Sequence, residues 1–202
     1  MKTLDRRHLV YLPLGVVFAV LPAFLNAYWL DVLNNVGLYV ILGISLNLMV
    51  GHAGIFNLGH AAFYAVGAYT AAILNTRFHI PILWLLPLCA CTAGLFATVI
   101  ARPIIHLRGD YLCIVTIGIG EIVRIALINN VFGITGGANG IFGIDRPSLL
   151  GLVIRRPHDF FYLIWAFVGF SALVFKRLEH SRFGRALNYL REDDIAAEGS
   201  GI

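Results

Sequence analysis

Six apolar runs, with most of the charges gathered at the chain ends and in the connections between them, constrain this chain more than any other feature. They are Leu9 to Leu25, Val36 to Val50, His60 to Leu74, Ile82 to Ile100, Tyr111 to Ile128 and Phe160 to Phe175. About 20 residues at ~1.5 Å rise are needed to cross a ~30 Å hydrocarbon core, and each run comes close to that length. Charged residues make up only 13% of the chain and hydrophobic ones 59%, whereas about a quarter of an average soluble domain is charged. The class this implies is all-α: a polytopic integral membrane helical bundle of about six hydrophobic segments. A transmembrane β-barrel would show alternating segments of about ten residues, and the sequence has none of that pattern.

The start, "MKTLDRRHLVYLPLGVVFAVLPAFL", has the basic flank and apolar run of a signal peptide but no small-residue cleavage site, so it reads as a retained first span. With the N-terminus inside and six crossings, the inner side carries Lys2, Arg6, Arg7, Arg102, Arg108, Lys176, Arg177, Arg182, Arg185 and Arg191. The outer side then carries Arg77, Arg146, Arg155 and Arg156. This asymmetry favours that orientation, because cytoplasmic loops accumulate Lys and Arg. It leaves Arg124 in the membrane and the charged C-terminal segment in the cytoplasm.

The second and third runs are short and are separated by "GHAGIFNLG", Gly51 to Gly59, which suggests a broken or re-entrant element. Backbone freed by glycines at membrane depth is tolerated only where it is buried in protein or lines a cavity. Asn57 and His60 are the polar side chains such an element would contribute. Ala61, Ala65, Ala68 and Ala72 follow at near-helical spacing with Gly67, a small-residue face for close helix packing. His52 and His60 lie eight residues apart without a third ligand nearby, which argues against a metal site. Cys89, Cys91 and Cys113 sit inside apolar runs, in neither zinc nor redox spacing.

Glu121 and Arg124, in "GIGEIVRIAL", fall about halfway along the fifth run. Ionisable residues at that depth are costly and mark functional sites by default. Their i, i+3 spacing lets them neutralise each other, and Gly118 and Gly120, one turn earlier, let another backbone approach the same face. Two readings stay open: an internal ion pair that sets helix packing, or direct exposure to a polar transport path.

Other chemistry finds little support. There is no G-x-x-x-x-G-K-[ST] loop, "GIGEIV" lacks the third glycine of a dinucleotide loop, and neither G-x-S-x-G nor H-E-x-x-H occurs. A membrane enzyme using Glu121 as a buried acid or base would therefore have no nucleophile or metal to work with. The long connection Asn129 to Asp159 contains "GITGGANGI" and is either functional, as connections of that length often are, or a loop with a short interfacial helix.

Near the end, Phe183, Ala186, Leu187 and Leu190 form an amphipathic stripe at i, i+3, i+4, i+7, opposed by Arg182, Arg185 and Arg191. Ile195 breaks the register and "REDD" supplies capping carboxylates. Two short helices are expected, one ending near Arg191 and one beginning after Asp194. The second spans at most Ile195 to Ile202, too short and glycine-containing to hold alone, so this stretch is either a solvated tail or a helix that docks on a cytoplasmic partner.

In order, "GISLNLMVGHAGIFNLGHAAFYAVGAYTAAIL", "LRGDYLCIVTIGIGEIVRIAL", "ITGGANGI" and "GRALNYLREDDIAAEGSGI" strongly resemble the LivM-type permeases of branched-chain amino-acid ABC transporters. The resemblance runs from about Val36 to the last residue. It implies a multi-pass subunit of the bacterial inner (plasma) membrane that imports Leu, Ile or Val. It also implies a second permease of the LivH type, cytoplasmic ATPase subunits and a periplasmic substrate-binding protein as partners. The chain itself would have no catalytic residue and no cofactor, with ATP bound and hydrolysed by the partner, and no nucleic acid is involved.

Residue by residue, the resemblance places Arg191, Glu192, Asp194, Ala196, Ala197, Glu198 and Gly201 on the loop that engages the ATPase, and Gly136, Gly137, Asn139 and Gly140 on an outer "TGGxNGI" motif. Gly199 departs from the small side chain expected there. The implied domains are a transmembrane permease domain over 1–176 and a cytoplasmic ATPase-coupling segment over 177–202. Permeases of this type continue into further spans, so the permease domain is expected to be incomplete at its C-terminal end. Urea and short-chain amide permeases resemble the same motifs, and a non-transporting fragment or assembly element is the alternative from another class.

Overall fold

The computed structural model describes residues 20–104, 107, 109–131, 133–149, 152–154 and 156–192. After a short 3-10 turn at Leu21–Phe24 come five long helices: α1 (Ala27–Asn47), α2 (His60–Phe78), α3 (Ile82–Ile104), α4 (Asp110–Ile128) and α5 (Pro157–Glu179). A shorter α6 follows over Arg182–Glu192. The expected all-α membrane class stands. Among the described residues, four helical stretches are long and apolar enough to cross a membrane: Ala27–His52, Ile82–Ile104, Asp110–Ile128 and Pro157–Glu179. This is a multi-pass membrane protein.

Four of the six runs match their helices to within four residues at either end. The second does not, because the helix begins nine residues before Val36, at Ala27. Tyr28, Trp29, Asp31, Asn34 and Asn35 made that stretch look polar, although Tyr and Trp belong where a span meets the headgroups. Beyond Asn47 the helix widens into a π-helical turn, Leu48–His52. The whole element has 26 residues, about 39 Å of helix. All but the end of the first run lies outside the described residues.

The long connection holds no interfacial helix among its described residues. It forms a 3-10 turn at Gly137–Asn139 and two strands of two residues each, β1 (Ser148–Leu149) and β2 (Leu152–Val153). They pair antiparallel with Ser148 opposite Val153. The five glycines from Gly133 to Gly143 all have positive φ, which breaks any helix attempted there.

Contacts divide the chain into two units. One contains α1 up to Ser45 together with α5; the other contains Leu46–Ile154, with α2, α3 and α4, and the segment carrying α6. In the first unit Leu30 and Phe161 are fully buried, and the Phe161 ring lies 5.9 Å from Trp165. Asn34 Nδ2 donates to the Pro157 carbonyl at 3.4 Å. One turn on, Gly37 lets the helices meet: a Cβ there would sit 2.6 Å from Ile164 Cγ2. Both contacts advance in the same direction along the two chains, so α1 and α5 run parallel.

In the second unit α2 and α3 form an antiparallel pair joined by a tight turn at His79–Pro81. Of the small-residue face expected on α2, Gly67 meets α3, where a Cβ would stand 3.9 Å from Cys89 O and 4.0 Å from Ala93 Cβ, whereas Ala61 and Ala68 are exposed. Thr92 Oγ1 donates to Thr70 Oγ1 at 3.2 Å, and Phe63 meets Phe96 edge-on at 6.0 Å.

The α1–α5 seam predicts opposite outcomes for two glycines of one helix. Gly37→Leu must displace Ile164 and Trp165 and is expected to cost about 1–3 kcal/mol, as overpacking does. Gly43→Leu, which meets nothing within 4 Å, is expected to leave thermal stability in detergent unchanged or raised. Equal losses at the two positions would reject the seam.

Candidate functional site

Local backbone demands build the site outward from "GHAGIFNLG". The π-turn places Gly51 directly against Asn47, whose Oδ1 would lie 2.5 Å from a Cβ at residue 51. Ala53 N–H then donates to Leu48 O at 3.2 Å, and Ile55 N–H to Met49 O at 3.0 Å. Gly54, at φ 68°, turns the chain out of the helix. Between Ile55 and Gly59, whose carbonyl accepts from Ala62 N–H at 3.0 Å, the backbone needs partners from elsewhere.

It finds them on α4. Leu58 N–H donates to Thr116 Oγ1 at 3.2 Å, and Phe56 O accepts from Cys113 Sγ at 3.5 Å. Gly59 N–H donates to Asn57 Oδ1 at 2.9 Å, while Asn57 Nδ2 reaches Met49 Sδ at 3.7 Å. Asn57 is only 5% exposed, so it serves as an internal brace rather than as the lining of an open cavity. Gly59 packs on the Thr116 carbonyl so closely that any Cβ would overlap it, and a Cβ on Gly120 would stand 3.5 Å from Gly59 Cα. His60 opens α2 and stacks edge-on against Phe63 at 6.3 Å.

Thr116 and Gly120 stand six and ten residues into α4, roughly 9 and 15 Å along it. The break between α1 and α2 therefore closes level with the interior of a spanning helix. This is the broken element that the short runs suggested.

On α4, Arg124 and Glu121 form a two-point ion pair, with Nε to Oε2 at 2.9 Å and Nη2 to Oε1 at 2.5 Å. The pair expected from the i, i+3 spacing is formed. Its side chains are 60% and 50% exposed, turned away from the packing of their own unit. Gly120 takes the close backbone approach expected of this stretch; Gly118 meets nothing within 4 Å.

At the C-terminal end, Ser181 Oγ accepts from Gly184 N–H at 3.2 Å and caps α6. The edge of α6 that meets the rest of the unit is Gly184, Asn188 and Arg191. Arg191 Nη1 donates to Gly51 O at 2.6 Å, and His52 Nδ1 lies 3.2 Å from Asn188 Oδ1. Arg191 Cγ also lies 2.9 Å from where a Gly54 Cβ would be. Of the apolar stripe, Phe183 remains 57% exposed. Glu192 closes α6; Asp194, Ala196, Ala197, Glu198 and Gly201, and with them the second short helix, lie outside the described residues.

A model of the family described as "Branched-chain amino acid transport system / permease component" matches residues 28–202. The chain belongs to that family. It is similar to the high-affinity branched-chain amino acid transport system permease protein LivM of Salmonella typhimurium and to that of Escherichia coli, 37% identical to each over 220 residues. Those alignments cover 98% of this chain and 52% of each relative. A probable branched-chain amino acid transport permease protein LivM from Methanocaldococcus jannaschii is 30% identical over 200 residues, covering 82% of this chain and 57% of the relative. The chain thus spans about half the length of the relatives it matches. No solved structure matches it.

The "TGGANG" stretch, Thr135 to Gly140, is a turn built on α4. Gly136 and Gly140 have φ of 73° and 74°, and a Cβ on Gly136 would overlap the Gly140 carbonyl. Gly137 packs near Ile128 O, where a Cβ would stand at 3.2 Å. Asn139 closes the 3-10 turn and is exposed. Thr135 holds this turn to the helix: its hydroxyl donates to Leu127 O at 2.8 Å, and its N–H donates to Asn130 Oδ1 at 2.8 Å.

Sequence reasoning missed the side chains that join elements. Thr116 lay hidden in an apolar run. Asn75, with no exposed surface, donates to Ile80 O at 2.9 Å and accepts from Asp145 N–H at 2.7 Å. It ties the α2–α3 turn to the long connection, where His79 Nδ1 also meets Asp145 Oδ2 at 3.0 Å. A lone Asn near the end of an apolar helix is the signal that could have found it.

Two outcomes follow from this geometry. Glu121→Gln is expected to lower the folded, membrane-inserted fraction more than the double change with Arg124→Gln, because the single leaves an unpaired cation; simply additive losses would reject a coupled pair. Thr135→Val, which removes the hydroxyl that donates to Leu127 O while keeping the N–H bond to Asn130 Oδ1, is expected to cost about 1–2 kcal/mol in thermal unfolding.

Proposed function

We propose that this chain is the membrane permease subunit of an ABC importer, forming part of the translocation path for branched-chain amino acids. The observation that carries the proposal is family membership across residues 28–202. Its geometry agrees with such a role: a span broken at membrane depth, beside a helix that carries an exposed ion pair, is the arrangement transporters use at substrate paths. In this reading Glu121, Arg124, Asn57 and His60 belong to the path or its supporting wall. Residues 1–176 form the permease domain, in the bacterial inner membrane.

Residues 177–202 form the ATPase-coupling segment, in which Arg191, Glu192, Asp194, Ala196, Ala197, Glu198 and Gly201 face or support the ATPase. ATP is bound and hydrolysed on that separate subunit, so this chain needs no cofactor. A LivH-type permease completes the path, and a periplasmic binding protein delivers the substrate.

The full-length permease, reconstituted with these partners, is expected to take up labelled leucine in an ATP-dependent manner, with isoleucine and valine competing and urea or acetamide not. Competition by urea instead would assign the path to amides. Glu198→Lys is expected to abolish substrate-stimulated ATP hydrolysis while leaving membrane insertion intact; unchanged stimulation would reject the coupling role of residues 177–202.

A further inference from the structure

We infer that the Gly51–Gly59 segment is a rigid connector between α6 and α4, with Arg191 and Thr116 as the positioning residues at its two ends. Movement of α6 would thereby displace the part of α4 that carries Glu121 and Arg124. The inference rests on the transport reading above and adds to it a defined mechanical route through this chain.

The first end is held by polar contacts from one edge of α6. Arg191 Nη1 donates to the Gly51 carbonyl at 2.6 Å, and Asn188 faces His52 at 3.2 Å. That carbonyl sits in the π-turn, where the α-helical pairing has already been given up. π-turns of this kind recur at functional sites. Gly54 is pressed on the aliphatic part of the same arginine. Arg191 therefore points into its own chain, so any displacement of α6 pulls on a backbone group.

The second end is held just as closely. Thr116 Oγ1 accepts from Leu58 N–H at 3.2 Å and donates to Cys113 O at 2.9 Å. One hydroxyl thus joins the connector's backbone to that of α4. Gly59 rests on the Thr116 carbonyl with no room for a side chain, and Gly120 meets it one turn further along. Glu121 and Arg124 follow immediately. Between the ends, Asn57 fixes the Gly59 N–H and reaches back to Met49. A connector braced at both ends and in the middle transmits displacement, whereas a solvated loop of nine residues would absorb it.

The test measures leucine taken up per ATP hydrolysed by the full-length permease reconstituted with its partner subunits. Thr116→Val removes the hydroxyl at nearly constant volume. It is expected to lower uptake per ATP at least fivefold while substrate-stimulated hydrolysis persists. Thr116→Ser keeps the hydroxyl and is expected to stay within twofold of the unmodified transporter. Gly120→Leu, which wedges Gly59 off α4 with the hydroxyl intact, is expected to reproduce the loss and decides the matter if the valine variant fails to assemble. Unchanged uptake per ATP in Thr116→Val or in Gly120→Leu overturns the connector, as does a serine variant as impaired as the valine one. An unmodified transporter that takes up no leucine would instead sink the transport reading, before any variant is compared.

Discussion

The contact of Gly59 with the Thr116 carbonyl is the point from which the second unit is organised. A chain that leaves its helix level with the interior of a span must satisfy every exposed N–H and carbonyl from within the protein, because lipid offers no partners. Here the debt is met by Thr116 Oγ1, Cys113 Sγ and Asn57 Oδ1. Those partners are within reach only because residue 59 lacks a side chain. Glycine at this position is therefore a steric requirement of backbone hydrogen bonding. The register of α2 against α4 follows from it, since His60 starts the helix at the next residue.

The parts of this architecture that were legible in the sequence are those set by one element at a time. Apolar runs located α2, α3, α4 and α5, the i, i+3 spacing paired Glu121 with Arg124, and the period of Phe183, Ala186 and Leu187 gave α6. What escaped depends on two elements meeting. Thr116 looks like a tolerated polar atom in an apolar helix until the 51–59 segment lies beside it, and Asn75 looks incidental until Asp145 returns to it. Arg191 shows the same limit from the other side. Family resemblance marked it as part of a coupling motif, but its hydrogen bond to Gly51 O is a tertiary fact.

Hydrogen bonds also group the connections of the second unit. His79 and Asn75, at the C-terminal end of α2, meet Asp145 in the long connection, so the loops carrying Arg77 and Arg146 lie together. Arg191 and Asn188 meet Gly51 and His52, placing α6 beside the π-turn.

Within the second unit, α2 is less apolar than α3 and α4, which have the length and hydropathy of a span. Its two ends are held by protein instead. The first turn is braced on α4, where Gly59 packs on the Thr116 carbonyl, and the last is tied through Asn75 to Ile80 O and to the Asp145 N–H. A helix fixed at both ends by backbone hydrogen bonds and close packing depends less on apolar surface for its place beside α3 and α4 than a helix held by burial alone.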